Sequence, residues 1–251
     1  MKQLQGKRVW ITGASSGIGS ATAKLFAEHG AEVVLSARRT ERIVALANEI
    51  SKAGGICHAK PLDVTDRAAA ERIGQELEEL GGVDILVNNA GIMPLSPMLE
   101  GRVDEWDQTI DINIRGLLYT THAVLSSMAK RKRGDIVNIG SVASQYAFPG
   151  GAVYSGTKFA VRGITDGLRR EACHYGVRVT TVEPGAVATE LADSIHHEAM
   201  RNAAKAEGGW YGPDAKTLQD IDVAQAILYV ITQPAHVNIG ELLLRPSTQE
   251  F

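Results

Sequence analysis

The chain has 251 residues, of which 44% are hydrophobic, enough to bury a full core as one large α/β domain. Charges of both signs are interspersed and sum to a formal net charge of −3, with no polybasic arm or acidic tail, which argues against nucleic acid or a membrane surface as a partner. Two cysteines, Cys57 and Cys173, suit buried thiols in a reducing compartment better than a bridge. No apolar run approaches the ~18 residues of a membrane span. The opening MKQLQGKRVWITGASSGIG reaches its glycines without a signal-like apolar region, so a soluble, cytoplasmic protein is expected.

Short β-branched runs alternate with segments of helical period from the start. RVWIT at 8–12 predicts a buried strand, and after a glycine turn residues 20–29 carry Ala21, Leu25 and Phe26 at helical spacing, closed by Gly30. A second strand is expected at 32–37 and a helix from Thr40 to about Ala53, ended by Gly54 and Gly55. Residues 56–64 predict a third strand, and Thr65 and Asp66 a cap for a helix reaching about Leu80. DILVNN at 84–89 predicts strand four. From Asp104 to Lys130, apolar residues such as Trp106, Ile110, Leu117 and Val124 recur every three or four positions, which predicts one long helix. Strand five is expected at 135–139, a helix at about 152–175, strand six at 178–183, a helix at 220–232 and a last strand at 241–244. Repeated βα units imply one doubly wound domain with about seven parallel strands covered on both faces. No linker or repeat divides the chain. The stretch from 186 to 218 has no clear pattern beyond a helical fragment at 191–205, and its length predicts a substrate lid.

Three glycines, Gly13, Gly17 and Gly19, punctuate TGASSGIG between the first strand and the first helix. A turn in that place lets backbone approach a pyrophosphate at the helix N-terminus, although a glycine turn alone can be a plain connection. Further on, YSGTK at 154–158 sets Tyr154 and Lys158 four positions apart, on one face of a helix. On spacing alone the pair suits a solvated helix equally.

TGASSGIG, NNAG at 88–91, Asn113 within DIN, Ser141 after a strand, and Tyr154 with Lys158 together resemble the short-chain dehydrogenase/reductase family, in order along nearly the whole chain. Tyr154 stands thirteen positions after Ser141, and PGAVAT occupies 184–189. The resemblance implies a Rossmann-type oxidoreductase acting on a carbonyl or secondary alcohol. Tyr154 would be general acid or base, its phenol lowered by Lys158 and by an oxidised nicotinamide. Ser141 would hydrogen-bond the substrate oxygen, and Asn113 would join a water-mediated proton relay through Lys158.

For the cofactor, the same resemblance implies contacts from the turn residues Gly13, Ser15, Ser16, Gly17, Ile18 and Gly19, and from Asn89, Ala90 and Gly91 at the end of strand four. Tyr154 and Lys158 would also touch it, as would Pro184, Gly185, Val187 and Thr189. Asp63 resembles the family's adenine contact; it could equally cap the next helix. NADP(H) rather than NAD(H) is expected, because Ala37 stands where an acid would accept the ribose hydroxyls, and Arg38 and Arg39 follow. The closing NIGELLLRPSTQEF, with SARRTERI and EPGAVATEL, resembles the subgroup of 3-hydroxy acid (serine) dehydrogenases and clavulanate dehydrogenase.

Residues 92–95 and 142–148 are expected to line an apolar pocket for a small carbonyl or alcohol, with Arg201, Lys205 or Lys216 available to a carboxylate. Trp210 and Tyr211 suit either the substrate mouth or a lid anchor. Adjacent His196 and His197 point to different faces of a helix and imply no metal. The basic run at 130–133 suits a helix C-terminus. By the resemblance, the helices at 104–130 and 152–175 would pair in a homotetramer. Two other readings stay open: a non-catalytic dinucleotide-binding regulator, and an epimerase or dehydratase of the extended branch, whose chains usually carry a larger C-terminal domain.

Overall fold

The central strands are buried on both faces, and that is why their runs are so uniformly apolar. In the computed structural model, which describes residues 2–250, seven parallel strands form one sheet in the order β3-β2-β1-β4-β5-β6-β7. They are β1 Arg8–Thr12, β2 Glu32–Ser36, β3 Ile56–Ala59, β4 Ile85–Asn88, β5 Gly134–Ile139, β6 Val177–Pro184 and β7 Glu241–Leu244. On β1, Val9 and Ile11 join one core while Trp10 between them joins the other, the two-residue alternation of a strand buried on both faces.

The first core is closed by α1 (Gly17–Glu28), α2 (Thr40–Lys52) and α8 (Asp220–Ile231), which contribute Phe26, Ile43 and Ile227. The second is closed by α3 (Arg67–Glu79) through Leu77, by α5 (Leu117–Arg131) through Met128, and by α6 (Ala152–Ala172) through Ala172. Trp10 is fully buried, and its indole N–H donates to Ser36 Oγ at 2.9 Å, so the ring costs no unpaired donor. A row of buried amides ties sheet to helices: Asn88 donates to Asn138 Oδ1 and Thr121 Oγ1, and Asn138 to Thr165 Oγ1.

Three elements differ most from the sequence expectation. Strand three ends at Ala59; beyond it Pro61, which has no N–H to give a ladder, interrupts the run. The long helix is instead α4 (Val103–Ile110), a π-helical segment at Asp111–Gly116, and α5. The π-helical segment contains Asn113, whose side chain is committed outside the helix, as described below. The helical fragment is shorter than expected: a 3₁₀ turn at Glu190–Ser194, then α7 at Glu198–Lys205. His197, expected on a helix face, instead caps α7, accepting from the Met200 N–H at 3.1 Å.

Between β1 and β4 the strand order reverses, and the carboxyl ends of these strands open a crevice. Residues 186–218 arch beside it and are tied at their base, where Val187 bridges Leu218 and the Ala188 N–H donates to the Leu218 carbonyl at 2.8 Å.

Candidate active site

The glycine turn is shaped by contacts that leave no room for a side chain. Gly13 and Gly17 have φ of +63° and +52°, in the left-handed region. A Cβ on Gly19 would lie 2.6 Å from both Asn89 Nδ2 and the Gly13 carbonyl. Asn89 explains the fit: its amide donates to the carbonyls of Thr12 and Gly13 at 3.0 and 3.1 Å, so it locks the turn against the end of β4. Thr12, which sequence reasoning did not single out, accepts from the N–H groups of Asn89 and Ala90 through its hydroxyl, both at 3.1 Å. Its signal was a lone polar group ending an apolar strand.

Above the turn lies a cavity of about 590 Å³. Gly13, Ser15, Ser16, Gly17, Ile18, Arg38, Arg39 and Asp63 line one end. Asn89, Ala90, Gly91, Pro184, Gly185, Val187 and Thr189 line the middle, and Ser141, Tyr154 and Lys158 the other end. Two nominated residues lie outside the lining, Gly19 behind the turn and Asn113 beneath the floor. Asn113 is buried with its amide fully engaged: Oδ1 accepts from the Ile92 N–H at 2.9 Å, and Nδ2 donates to the Ile92 carbonyl and Thr157 Oγ1 at 3.0 and 3.1 Å. Through these bonds to Ile92 it holds the chain that follows Gly91. Asp63 likewise spends Oδ1 on the N–H and hydroxyl of Thr65, at 3.0 and 2.8 Å; the helix cap is Asp66, which accepts from the Ala69 N–H at 2.9 Å. Thr189 both lines the cavity and caps the 3₁₀ turn, accepting from the Leu191 N–H at 3.4 Å.

Ser141, two residues beyond β5, is extended and caps a 3₁₀ turn, its Oγ accepting from the Ala143 N–H at 3.1 Å. Tyr154 and Lys158 share a face of α6, both buried, with Nζ 5.7 Å from the centre of the phenol ring. Lys158 donates to the Ile139 carbonyl at 2.8 Å. Burial pushes the Tyr154 phenol up to about 12, against the lowering effect of its hydrogen bond with Ser141. Burial also pushes the Lys158 amine down to about 8, with the buried Glu183 carboxylate opposing. Desolvation is the largest influence on both groups.

The walls near Tyr154 are apolar and aromatic. Met93, Val142 and Phe148 line them as expected, and Trp210 meets Phe148 edge-on with ring centres 4.8 Å apart. Arg201, Lys205 and Lys216 do not line this cavity, and Lys205 pairs instead with Asp193 at 3.0 Å. At the far end, Ala37 is buried and neutral, and Arg38 is exposed at the mouth. Arg39 donates to Ser15 Oγ and Ser16 Oγ and to Glu190, a residue the sequence did not mark.

The short chain dehydrogenase family model matches residues 7–199, a span that holds the glycine turn, Ser141, Tyr154 and Lys158. The chain belongs to the short-chain dehydrogenase family. An uncharacterized oxidoreductase of Staphylococcus saprophyticus is 42% identical over 265 residues, covering 100% of both chains, and one of Staphylococcus aureus is 38% identical over 98% of this chain and 100% of its own. Among solved members, a closed form of serine dehydrogenase complexed with NADP+ superposes with a TM-score of 0.89 at 38% identity, covering 97% of this chain and 96% of that one. A metagenomic short-chain oxidoreductase in complex with NADP gives 0.82 at 29% identity, over 98% of this chain and 100% of its own. The subgroup resemblance seen in SARRTERI and EPGAVATEL agrees with these relatives, and the seven-stranded parallel sheet is the family's fold.

Proposed function

We propose that this oxidoreductase interconverts a ketone or aldehyde and an alcohol with NADP(H), and that Tyr154 is its general acid and base. The observation that carries the reading is that Ser141, Tyr154 and Lys158 line the same cavity as the glycine turn, with Lys158 one helical turn from the phenol. The cavity suits a dinucleotide. Ser16, the residue before α1, makes no side-chain cap, so the first-turn N–H groups are left to an anion at the helix N-terminus. A neutral Ala37 followed by exposed Arg38 suits a 2′-phosphate, and the NADP-bound relatives support the choice.

The nicotinamide, when bound, supplies or takes the hydride. The chain's own residues manage the proton and the oxygen. Ser141 Oγ is oriented by the Ala143 N–H and can donate to the substrate oxygen as charge develops there. Tyr154, raised above its ordinary value, keeps its proton at neutral pH and can give it up in carbonyl reduction. Alcohol oxidation needs the phenolate, so the oxidation rate should climb with pH where the reduction rate does not. Lys158 is fixed by the Ile139 carbonyl at the Tyr154 end of the cavity, and Asn113 fixes the floor through Ile92.

A 3-hydroxy acid is the first candidate substrate, from the likeness to serine dehydrogenase, and residues 186–218 serve as the lid. A cytoplasmic homotetramer follows from the same family reading; Ile110, Leu118 and Phe159 on α4, α5 and α6 are exposed apolar groups that such pairing would cover. Sedimentation at micromolar concentration should then show a tetramer, and a stable monomer would remove that part. The activity itself is tested by following NADPH and NADH consumption with a panel of 3-oxo acids and neutral ketones. Turnover that strongly favours NADPH is expected; NADPH binding without consumption across the panel would indicate a regulator instead.

A further inference from the structure

The charged end of the cavity is already bridged by a carboxylate of the protein. Glu190, the first residue of the 3₁₀ turn in residues 186–218, accepts from Arg39 Nη1 at 2.6 Å and from Arg42 Nη1 at 2.8 and 2.9 Å. These arginines open α2, one and four residues after Arg38. Arg39 also donates to Ser15 Oγ through Nε and Nη2, at 3.0 and 2.8 Å, and to Ser16 Oγ at 2.6 Å. One guanidinium thus spans the glycine turn and the arch that overhangs it. Next to Glu190, Thr189 closes the same joint: a Cβ on Gly17 would lie 2.9 Å from Thr189 Cγ2.

We propose that Glu190 is a cofactor-discriminating latch: its carboxylate stands in for the 2′-phosphate of NADP(H) on Arg39 and Arg42, so that binding of the phosphate releases Glu190 and frees the arch from α2. The inference rests on the NADP(H) reading given above. Three features support it beyond the distances. The ligands of Glu190 are two guanidinium groups at a β2–α2 turn where the dinucleotide fold places the adenosine ribose. A planar guanidinium grips carboxylate and phosphate with the same fork, so one anion can replace the other. The pairs are also half-exposed, and exposed ion pairs contribute little net stability, so exchange for a doubly charged phosphate is downhill. A buried pair in the same place would be a fixed strut. Paired with both arginines, the Glu190 carboxyl is held down to about 2 and stays ionised throughout the neutral range. The charges facing it are Arg39 and Arg42 from α2; Asp193, on its own 3₁₀ turn, is occupied with Lys205.

The test uses 2′,5′-ADP, which carries the phosphate without the nicotinamide, with 5′-AMP as control, titrated calorimetrically into wild type and Glu190→Gln. With its internal competitor neutralised, Glu190→Gln should bind 2′,5′-ADP about tenfold tighter than wild type does, with 5′-AMP unchanged. Hydrogen exchange of residues 186–218 should rise on adding 2′,5′-ADP to wild type and be already high in free Glu190→Gln. If wild type prefers 2′,5′-ADP but Glu190→Gln binds it equally or more weakly, the latch is wrong and the NADP(H) reading stands. If wild type binds both nucleotides alike, the NADP(H) reading falls and the latch with it.

Discussion

The two ends of the cavity are built on opposite electrostatic plans. At the Tyr154 end the ionisable groups are buried, each has a fixed partner, and desolvation sets their proton affinity: the phenol rises to about 12 and the amine falls to about 8. At the Arg39 end the groups are half-exposed, and each ion pair is between two exposed side chains. The difference teaches what each end can be asked to do. A buried group keeps one geometry, and its surroundings set its proton affinity, which suits proton transfer. An exposed ionic cluster trades partners at little cost, which suits capture of an anion.

The contrast is sharpened most by Arg38→Ala. Because a hydrogen bond to a charged group is worth ~1.5 to 3 kcal/mol, NADPH affinity should fall roughly 10- to 150-fold with little change for NADH. Equal weakening of both cofactors by fluorescence titration would move the phosphate site away from this turn.

At the buried end, Lys158→Met should raise stability below pH 8. The folded amine is depressed from its ordinary 10.5 to about 8, so burying its charge costs stability that is fully lost below pH 8 and regained above 10.5. Allowing for the hydrogen bond lost to Ile139, the gain at pH 7 should be roughly 2 kcal/mol and should fade between pH 8 and 10.5. A variant less stable than wild type at pH 7 in urea melts would show that the amine is not desolvated as described. No comparable gain is expected from removing Arg42 at the exposed end.

The smallest effect concerns the joint between the ends. Gly19→Ala forces a methyl to within 2.6 Å of Asn89 Nδ2 and the Gly13 carbonyl, and overpacking of this kind costs ~1 to 3 kcal/mol. A thermal melt lowered by several degrees is the expected result; an unchanged melt would mean that the Asn89 lock yields freely.

What the sequence made legible divides along the same line. Strand runs, the glycine turn and the order Ser141, Tyr154, Lys158 are local patterns, and the structure places them on one cavity. The break in the long helix was hidden, because apolar periodicity continues across it; only the bonding of Asn113 to Ile92, twenty-one residues away, shows why a wider turn is accommodated. Glu190 was hidden for the same reason, since its meaning comes from Arg39, 151 positions earlier. Asp63 was legible as an acid after a strand run, whereas the engagement of one of its carboxylate oxygens by Thr65, two residues on, was not. Lone polar residues in apolar surroundings, such as Thr12 and Asn138, were visible as exceptions whose partners sequence cannot supply.

The central claim is that the buried phenol of Tyr154 carries the proton. Tyr154→Phe keeps the ring in its packed site and removes only the hydroxyl, so kcat at saturating carbonyl substrate, measured beside NADPH affinity on the same sample, tests it directly. A loss of ~10²- to 10⁴-fold in kcat with NADPH affinity retained is expected. Retention of more than a few per cent of wild-type kcat would contradict the assignment.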